Sequence, residues 1–486
     1  MQNSLIDSGK IRCLISGFIC AAALWACAAT AQSPVTLTIP VNKTGAAIPE
    51  DFAGLSFGMR AVLPGKSDTH FFSATNTALI TLFQNLGLRH LRVGGTTVES
   101  PPATAIPNES DIDNLFAFAH AAGVQKIIYS LRLLEADPAR TNIATAVARA
   151  QYIWSHYRDR LDCFALGNEP NLQRVYHQDF TITNFTSYLA QWRKFASAIT
   201  NALPEAKFGG PDAASGEVSW TKRFATAEKN SSIVSVITEH YYVGGAGRNV
   251  TSEEGIKTML SPEWLAVCQK LRREMAEPVL AEHLPFRFTE ANDHYTGGVA
   301  GASDTFAGAL WALDFLHWWA AHDAQGIDFH NTQWVVSDVI TPDADGRLRI
   351  NPKGYGLKAF DLGSHGRVQP VEVSNPDKIN LTAYAVRADE NLCVTIINKS
   401  FGPRAHTANV TIASPGIARH AEVIFLTAPN NDVTAKIGVT LGGASISNNS
   451  PWQGKWMPLE SDEAGRCSVK VPATSAAIVR FATEQK

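Results

Sequence analysis

Residues 163–171 read Cys163-Phe164-Ala165-Leu166-Gly167-Asn168-Glu169-Pro170-Asn171. A short apolar run enters a glycine and then a polar turn, the pattern of a buried strand with functional groups at its C-terminal end. Helical patterns flank it, Ile143–Tyr157 before and Phe185–Leu203 after. The alternation continues outward. Strands are expected at Phe52–Phe57, Leu88–Val93, Lys126–Leu131, Cys163–Leu166, Lys207–Gly210, Ile233–His240, Phe286–Thr289 and Ile327–His330. The other expected helices are Thr77–Leu86, Ile112–Ala122, Val218–Glu228, Gly255–Met275 and Ser303–His322. Strands that alternate with helices pair in parallel, and eight of them predict an α/β fold closed as a (β/α)8 TIM barrel. The rival is an open doubly wound sheet, which usually has a Gly-rich phosphate turn after its first strand. Gly54-Leu55-Ser56-Phe57-Gly58 is not that fingerprint.

After residue 365 the texture changes. Ile379–Val386, Leu392–Asn398, Ala408–Ile412, Ala421–Leu426, Ile437–Leu441 and Ala476–Phe481 read as strands separated by turn residues, the signature of a β-sandwich. Val35–Val41 alternates equally well but precedes the barrel, so it is expected to pair into the C-terminal sandwich. The organisation expected is a leader at 1–31, a sandwich-joining strand within 32–50, a catalytic barrel at 51–365 and a β-sandwich at 366–486. The length of 486 residues suits such a pair of domains.

Lys+Arg is 42 and Asp+Glu is 45, a net charge of −3 with no basic run, which argues against a nucleic-acid partner. The apolar run Cys13–Ala29 follows Lys10 and Arg12 and ends in Ala29-Thr30-Ala31, a small-x-small pattern with cleavage expected before Gln32. Export, periplasmic or extracellular, is the expectation, with no membrane association after cleavage. A lipid anchor at Cys27 is the weaker alternative, because Trp25 is bulky for a lipid-attachment box. Cys163, Cys268, Cys393 and Cys467 remain, too few for a disulfide scaffold. Cys163 reads as a buried thiol, and Cys393 and Cys467 are candidates to pair. Neither CxxC nor HExxH occurs, and no metal or cofactor is expected.

In a TIM barrel the site forms where the strands end. Those ends carry Arg92, then Asn168-Glu169-Pro170-Asn171, Glu239-His240-Tyr241-Tyr242, Glu290-Ala291-Asn292 and His330-Asn331. Two carboxylates in one mouth, from strands four and seven, are what glycoside hydrolysis needs. One protonates the leaving oxygen, and the other attacks the anomeric carbon or activates water.

Gly167-Asn168-Glu169-Pro170-Asn171 is similar to the Asn-Glu-Pro acid/base motif of the retaining 4/7 barrel glycosidases, and Phe288-Thr289-Glu290-Ala291-Asn292 to their second glutamate. Tyr295-Thr296-Gly297-Gly298, His240-Tyr241-Tyr242 and Leu91-Arg92-Val93-Gly94-Gly95 resemble glycoside hydrolase family 79, the β-glucuronidases and heparanases. The resemblance implies Glu169 as acid/base, with a raised pKa, and Glu290 as nucleophile. It implies Asn168 on the sugar 2-OH and Tyr242 holding the nucleophile, with Tyr241 the competitor by one position. It implies that Tyr295 and the Gly297-Gly298 turn meet the sugar carboxylate, although that loop contains no Lys or Arg. Arg92 would keep Glu290 ionised or form a rim salt bridge. His330 would contact substrate or serve the fold. Trp311, Trp318 and Trp319 lie on a helical run and read as packing, which leaves Trp334 as the stacking candidate.

The expected partner is therefore a glucuronic-acid-containing oligosaccharide or glycoconjugate. The expected reaction is hydrolysis of terminal β-D-glucuronides by double displacement. The alternatives are a heparanase-like endo-β-glucuronidase, a neutral-sugar β-glycosidase of a related family, and a non-catalytic carbohydrate-binding protein.

Overall fold

A computed structural model describes residues 33–40, 43–65, 67–100, 104–133, 143–172, 182–214, 218–388, 391–414, 417–462 and 466–483. The expected leader, its three cysteines and its cleavage site lie outside the described residues.

Eight parallel strands close into a barrel. In order they are Ala53–Gly58, His90–Gly94, Lys126–Leu131, Leu161–Leu166, Phe208–Ala213, Val234–Tyr242, Phe286–Asn292 and Gly326–His330. The closing pair is the eighth against the first, with His330 opposite Ser56. Local signals place the surrounding helices. Thr77–Leu86 starts where the Asn76 side chain accepts the Leu79 N–H, and it stops at Gly87. Glu109–Ala122 opens with a reciprocal Asn108–Asp111 capping box and stops at Gly123. Phe306–Ala320 is buried on every side because it lies between the barrel and the C-terminal domain. Its three tryptophans, Trp311, Trp318 and Trp319, are packing residues, as the pattern predicted. Its one acid, Asp314, takes hydrogen bonds from Tyr384 (2.6 Å) and Thr382 (2.8 Å) and pairs with buried Lys399, fastening the two domains together.

The C-terminal domain is two sheets around a hydrophobic core of Val394, Ile396, Val410, Ile412, Val469 and Phe481. Val35–Thr38 runs parallel to Ala408–Ala413 and antiparallel to Glu372–Ser374, at the centre of the four-stranded sheet. Its Val35 and Leu37 are fully buried, so alternation on this orphan strand reports a real core face. Ala47–Ile48 adds to the other sheet by pairing with Gly366–Gln369.

Three expectations are corrected. Gly255–Met275 is not one helix. It divides into Ser252–Leu260 and Glu263–Leu271 followed by a π turn, because Pro262 disfavours helical backbone at Ser261. Of Ile437–Leu441 only Thr440–Leu441 is paired, and Ile437 is 77% exposed. Cys393 and Cys467 are unpaired thiols, one on each sheet of the sandwich. Cys163 is a buried free thiol. Among the described residues no helix is long and apolar enough to cross a membrane.

Candidate active site

Arg92 is the hub of the barrel mouth. It points inward from strand two, is fully buried, and sits where Gly94 has no side chain. A Cβ on Gly94 would lie 2.7 Å from the guanidinium carbon. Its Nη1 donates to Glu290 Oε2 (3.0 Å) and Ser56 Oγ (3.1 Å). Its Nη2 donates to Asn168 Oδ1 (2.7 Å) and Asp212 Oδ2 (3.0 Å). One planar cation thereby fixes the ends of strands one, two, four, five and seven.

Glu290 lies on strand seven and is 7% exposed. Tyr242 donates its hydroxyl to Oε1 at 2.8 Å, and His330 Nδ1 stands 3.5 Å from Oε2. Burial opposes charge on Glu290. His330, His240 and Arg92, with the Tyr242 hydrogen bond, outweigh it and hold the carboxyl at about 2, well below its ordinary value. Tyr241 faces the other way and packs on Phe288 and Phe315. Glu239 is also turned away, toward the Thr221 hydroxyl. Strand alternation decides the choice between the tyrosines.

Glu169 follows strand four. Its backbone is left-handed (φ 45°), unusual without glycine, and its N–H donates to the Asp212 carbonyl at 2.9 Å. Its Oε1 is 3.1 Å from His240 Nδ1. Burial opposes charge on His240, but the Glu290 charge and the hydrogen bond to Glu169 raise its pKa above the ordinary value. One carboxylate oxygen each from Glu169 and Glu290, with a His240 ring nitrogen, lie within 4.8 Å of one another.

The loop after strand seven carries Tyr295, Gly297 and Gly298. Tyr295 is 45% exposed, and its ring meets that of Tyr242 edge-on at 6.2 Å. Thr296, Gly297 and Gly298 all have positive φ (59°, 92° and 85°). The loop is fastened from behind. Buried Lys353 pairs with Asp293 at 3.0 Å and donates to the Ser337 carbonyl at 2.8 Å, while the Ser337 N–H donates to the Gly297 carbonyl at 3.2 Å. That lysine comes from the helix Pro352–Gly363 and supports the loop, with its charge paired to Asp293.

All nine expected residues belong to the mouth or its adjoining loops. Asn168, Tyr242, His330, Arg92 and the two glutamates interlock, and Tyr295 reaches them through Tyr242. Gly297 and Gly298 shape the neighbouring loop. The sequence reading omitted Asp212 as a site residue and left His240 without a role. The Asp212 carboxylate accepts from Arg92 Nη2 at 3.0 Å and from Thr289 Oγ1 at 2.6 Å, and the Asp212 backbone N–H donates to Thr238 Oγ1 on strand six at 3.0 Å. The signal for His240 was its place as a polar residue at a barrel strand end.

Residues 383–478 match the glycosyl hydrolase family 79 C-terminal beta domain. A β-glucuronidase of Aspergillus niger is 27% identical over 264 residues, 49% of this chain and 48% of that one. Heparanase-like protein 1 of Arabidopsis thaliana is 24% identical over 172 residues, 35% of this chain and 30% of that one. The matched regions thus span about half or less of these curated relatives. Among solved structures, a 4-O-α-L-rhamnosyl-β-D-glucuronidase from Fusarium oxysporum 12S superposes with a TM-score of 0.71 at 17% identity, covering 91% of this chain and 99% of that one. A GH51 arabinofuranosidase from Xanthomonas axonopodis pv. citri gives 0.66 at 14%, covering 92% and 99%. These structural likenesses establish a shared fold.

Proposed function

We propose that this chain, a relative of glycoside hydrolase family 79 that carries the family's C-terminal β domain, is a retaining β-glycosidase acting on β-D-glucuronides. The carrying observation is the approach of Glu169 and Glu290 oxygens to within 4.8 Å. Retaining enzymes hold their carboxyl groups at about 5–5.5 Å, whereas inverting enzymes need about 6.5–9.5 Å to admit a water. In the first step Glu290 attacks the anomeric carbon as Glu169 gives its proton to the departing oxygen. In the second, Glu169 takes a proton from water, which attacks the same carbon and releases Glu290. Arg92, His240, His330 and Tyr242 keep Glu290 ionised and oriented for attack. Asn168, fixed by Arg92, is assigned to the 2-hydroxyl.

The uronate assignment rests on the Tyr295–Gly298 loop and on the glucuronidase among the relatives. Glycines let backbone N–H groups approach an anion closely. Export after removal of the N-terminal segment is part of the same proposal. A panel of p-nitrophenyl β-glucuronide, β-glucoside and β-xyloside tests the reading. Turnover of the glucuronide with a β-configured first product is expected. Preference for a neutral glycoside would reject the uronate assignment, and binding without turnover would favour a carbohydrate-binding protein.

A further inference from the structure

A small cavity of about 30 Å³ lies behind the barrel wall, between the end of strand three and the helix Ile143–Tyr157. Met59, Val98 and Ile106, from the loops after strands one and two, give it an apolar wall. The space admits one or two waters or a single small ion, and nothing as large as a sugar. Ala105, at its edge, is exposed and leaves an entry.

Two side chains of the lining have hydrogen-bonding groups that the fold does not use. Tyr129 is 1% exposed, and its hydroxyl has no partner among the described residues. Burial pushes that hydroxyl's pKa up, so it stays protonated and can donate. Arg149 stands close enough for its charge to act on the Tyr129 hydroxyl. Its Nε is buried and also lacks a partner, and among the described residues Arg149 makes no ion pair. No Asp or Glu is among the described residues of the lining. Asp111, the acid whose charge is felt at Tyr129, is committed elsewhere. Its oxygens take His70 Nε2 at 2.7 Å and the Asn108 N–H at 2.8 Å. A water in the cavity would meet the two hydrogen bonds and leave the arginine's charge uncompensated. A small anion meets both needs, because both groups facing it donate.

We propose that this cavity is a site for a chloride-sized monovalent anion, held between the Tyr129 hydroxyl and Arg149 Nε. The anion ties the end of strand three to the helix Ile143–Tyr157. The chain beside this site backs the acid/base turn. Val98 and Arg132 line the cavity, and their neighbours Glu99 and Leu133 are joined by the Leu133 N–H to Glu99 Oε1 at 2.9 Å. A Cβ on Gly167, two residues before Glu169, would stand 3.0 Å from that oxygen and 3.1 Å from Leu133 Cβ. An anion in the cavity therefore steadies the support of Glu169 without touching the reacting groups. The site is independent of which sugar the protein cleaves.

Bromide is the direct probe, because it takes the place of chloride and scatters anomalously. Crystals of the full chain grown in sodium bromide are expected to show an anomalous peak within hydrogen-bonding reach of Tyr129 Oη and Arg149 Nε. In solution, thermal unfolding is compared in sodium chloride and sodium gluconate at equal ionic strength, gluconate being too large to enter. Wild-type protein should unfold about 2 °C higher in chloride, with a saturable dependence, because only the folded state holds the site. Amide exchange over Leu131–Leu133 should slow in chloride and not in gluconate. Arg149→Gln and Tyr129→Phe should each lose the chloride increment. In gluconate Tyr129→Phe should be no less stable than wild type, since it deletes a hydroxyl without a partner, so it carries the test even if Arg149→Gln weakens its helix. A chloride increment equal in all three proteins would be an effect on the whole surface and would overturn the site. So would exchange that chloride leaves unchanged, a bromide peak only elsewhere, or a water found in its place.

Discussion

Two clusters of buried charge lie one above the other inside the same barrel. In the lower one, Arg287 grips Asp328 through two hydrogen bonds of 2.9 Å, and His90 Nδ1 meets the same carboxylate at 2.7 Å. All three are buried. In the upper one, Arg92 divides its donors among Glu290, Asp212, Asn168 and Ser56. There Glu169 and His330 are partly exposed, and His330 Nδ1 stands 3.5 Å from Glu290 Oε2. The residue types match and the exposure differs. The lower cluster is sealed from solvent, with glycine making room for it. A Cβ on Gly54 would lie 2.0 Å from Asp328 Oδ1. The upper cluster leaves Glu169 and His330 partly exposed at the barrel mouth, which suits a site that must accept a ligand.

The comparison is broken most severely by substitutions of the two arginines. Arg287→Met should destabilise the fold by about 3–5 kcal/mol, because Asp328 would be left buried without its bidentate partner. Denaturant unfolding would read this, while activity per folded molecule should change little. A large activity loss without a stability loss would mean that the lower cluster also serves catalysis.

Arg92→Met should act on pH dependence. Glu290 is held at about 2, so the wild-type acid limb of kcat/KM should lie well below the ordinary carboxylate value. Loss of a cation 3.0 Å away raises the Glu290 pKa, and the acid limb should move up by about 1–3 pH units. The linked stability has the same sign. A depressed carboxyl stabilises the fold above its unfolded pKa, and that contribution is lost as pH falls through the folded value. An unmoved acid limb would assign Arg92 to the fold alone.

Tyr295→Phe should have the smallest effect and the most selective. A hydroxyl donating to the sugar carboxylate contributes about 1.5–3 kcal/mol, so glucuronide hydrolysis should fall roughly tenfold to hundredfold. Glucoside hydrolysis should barely change. Equal losses would place Tyr295 in support of Tyr242, whose ring it touches.

The barrel was legible because each strand end was punctuated. Lys126–Leu131 and Ile143–Tyr157 have the boundaries that their patterns predict. Glu169 and Glu290 were legible because each sits in a short motif at a strand end. Asp212 was not, for a physical reason. The pattern Lys207–Gly210 stops before Pro211, since proline removes a ladder donor, yet the strand continues to Ala213 and carries Asp212 into the mouth. His240 was visible as a strand-end residue, but its role depends on Glu169 and Glu290, 71 and 50 positions away in sequence, converging on its ring.

The central claim is that Glu290 forms a covalent bond to the sugar. Incubation with a 2-deoxy-2-fluoro-β-D-glucuronyl fluoride, followed by peptide mass spectrometry, tests this directly. The account predicts one label on Glu290, lost in Glu290→Gln. A label on Glu169 or Glu239 would contradict the assignment of the nucleophile. Turnover without a covalent adduct, giving an α-configured first product, would contradict double displacement itself.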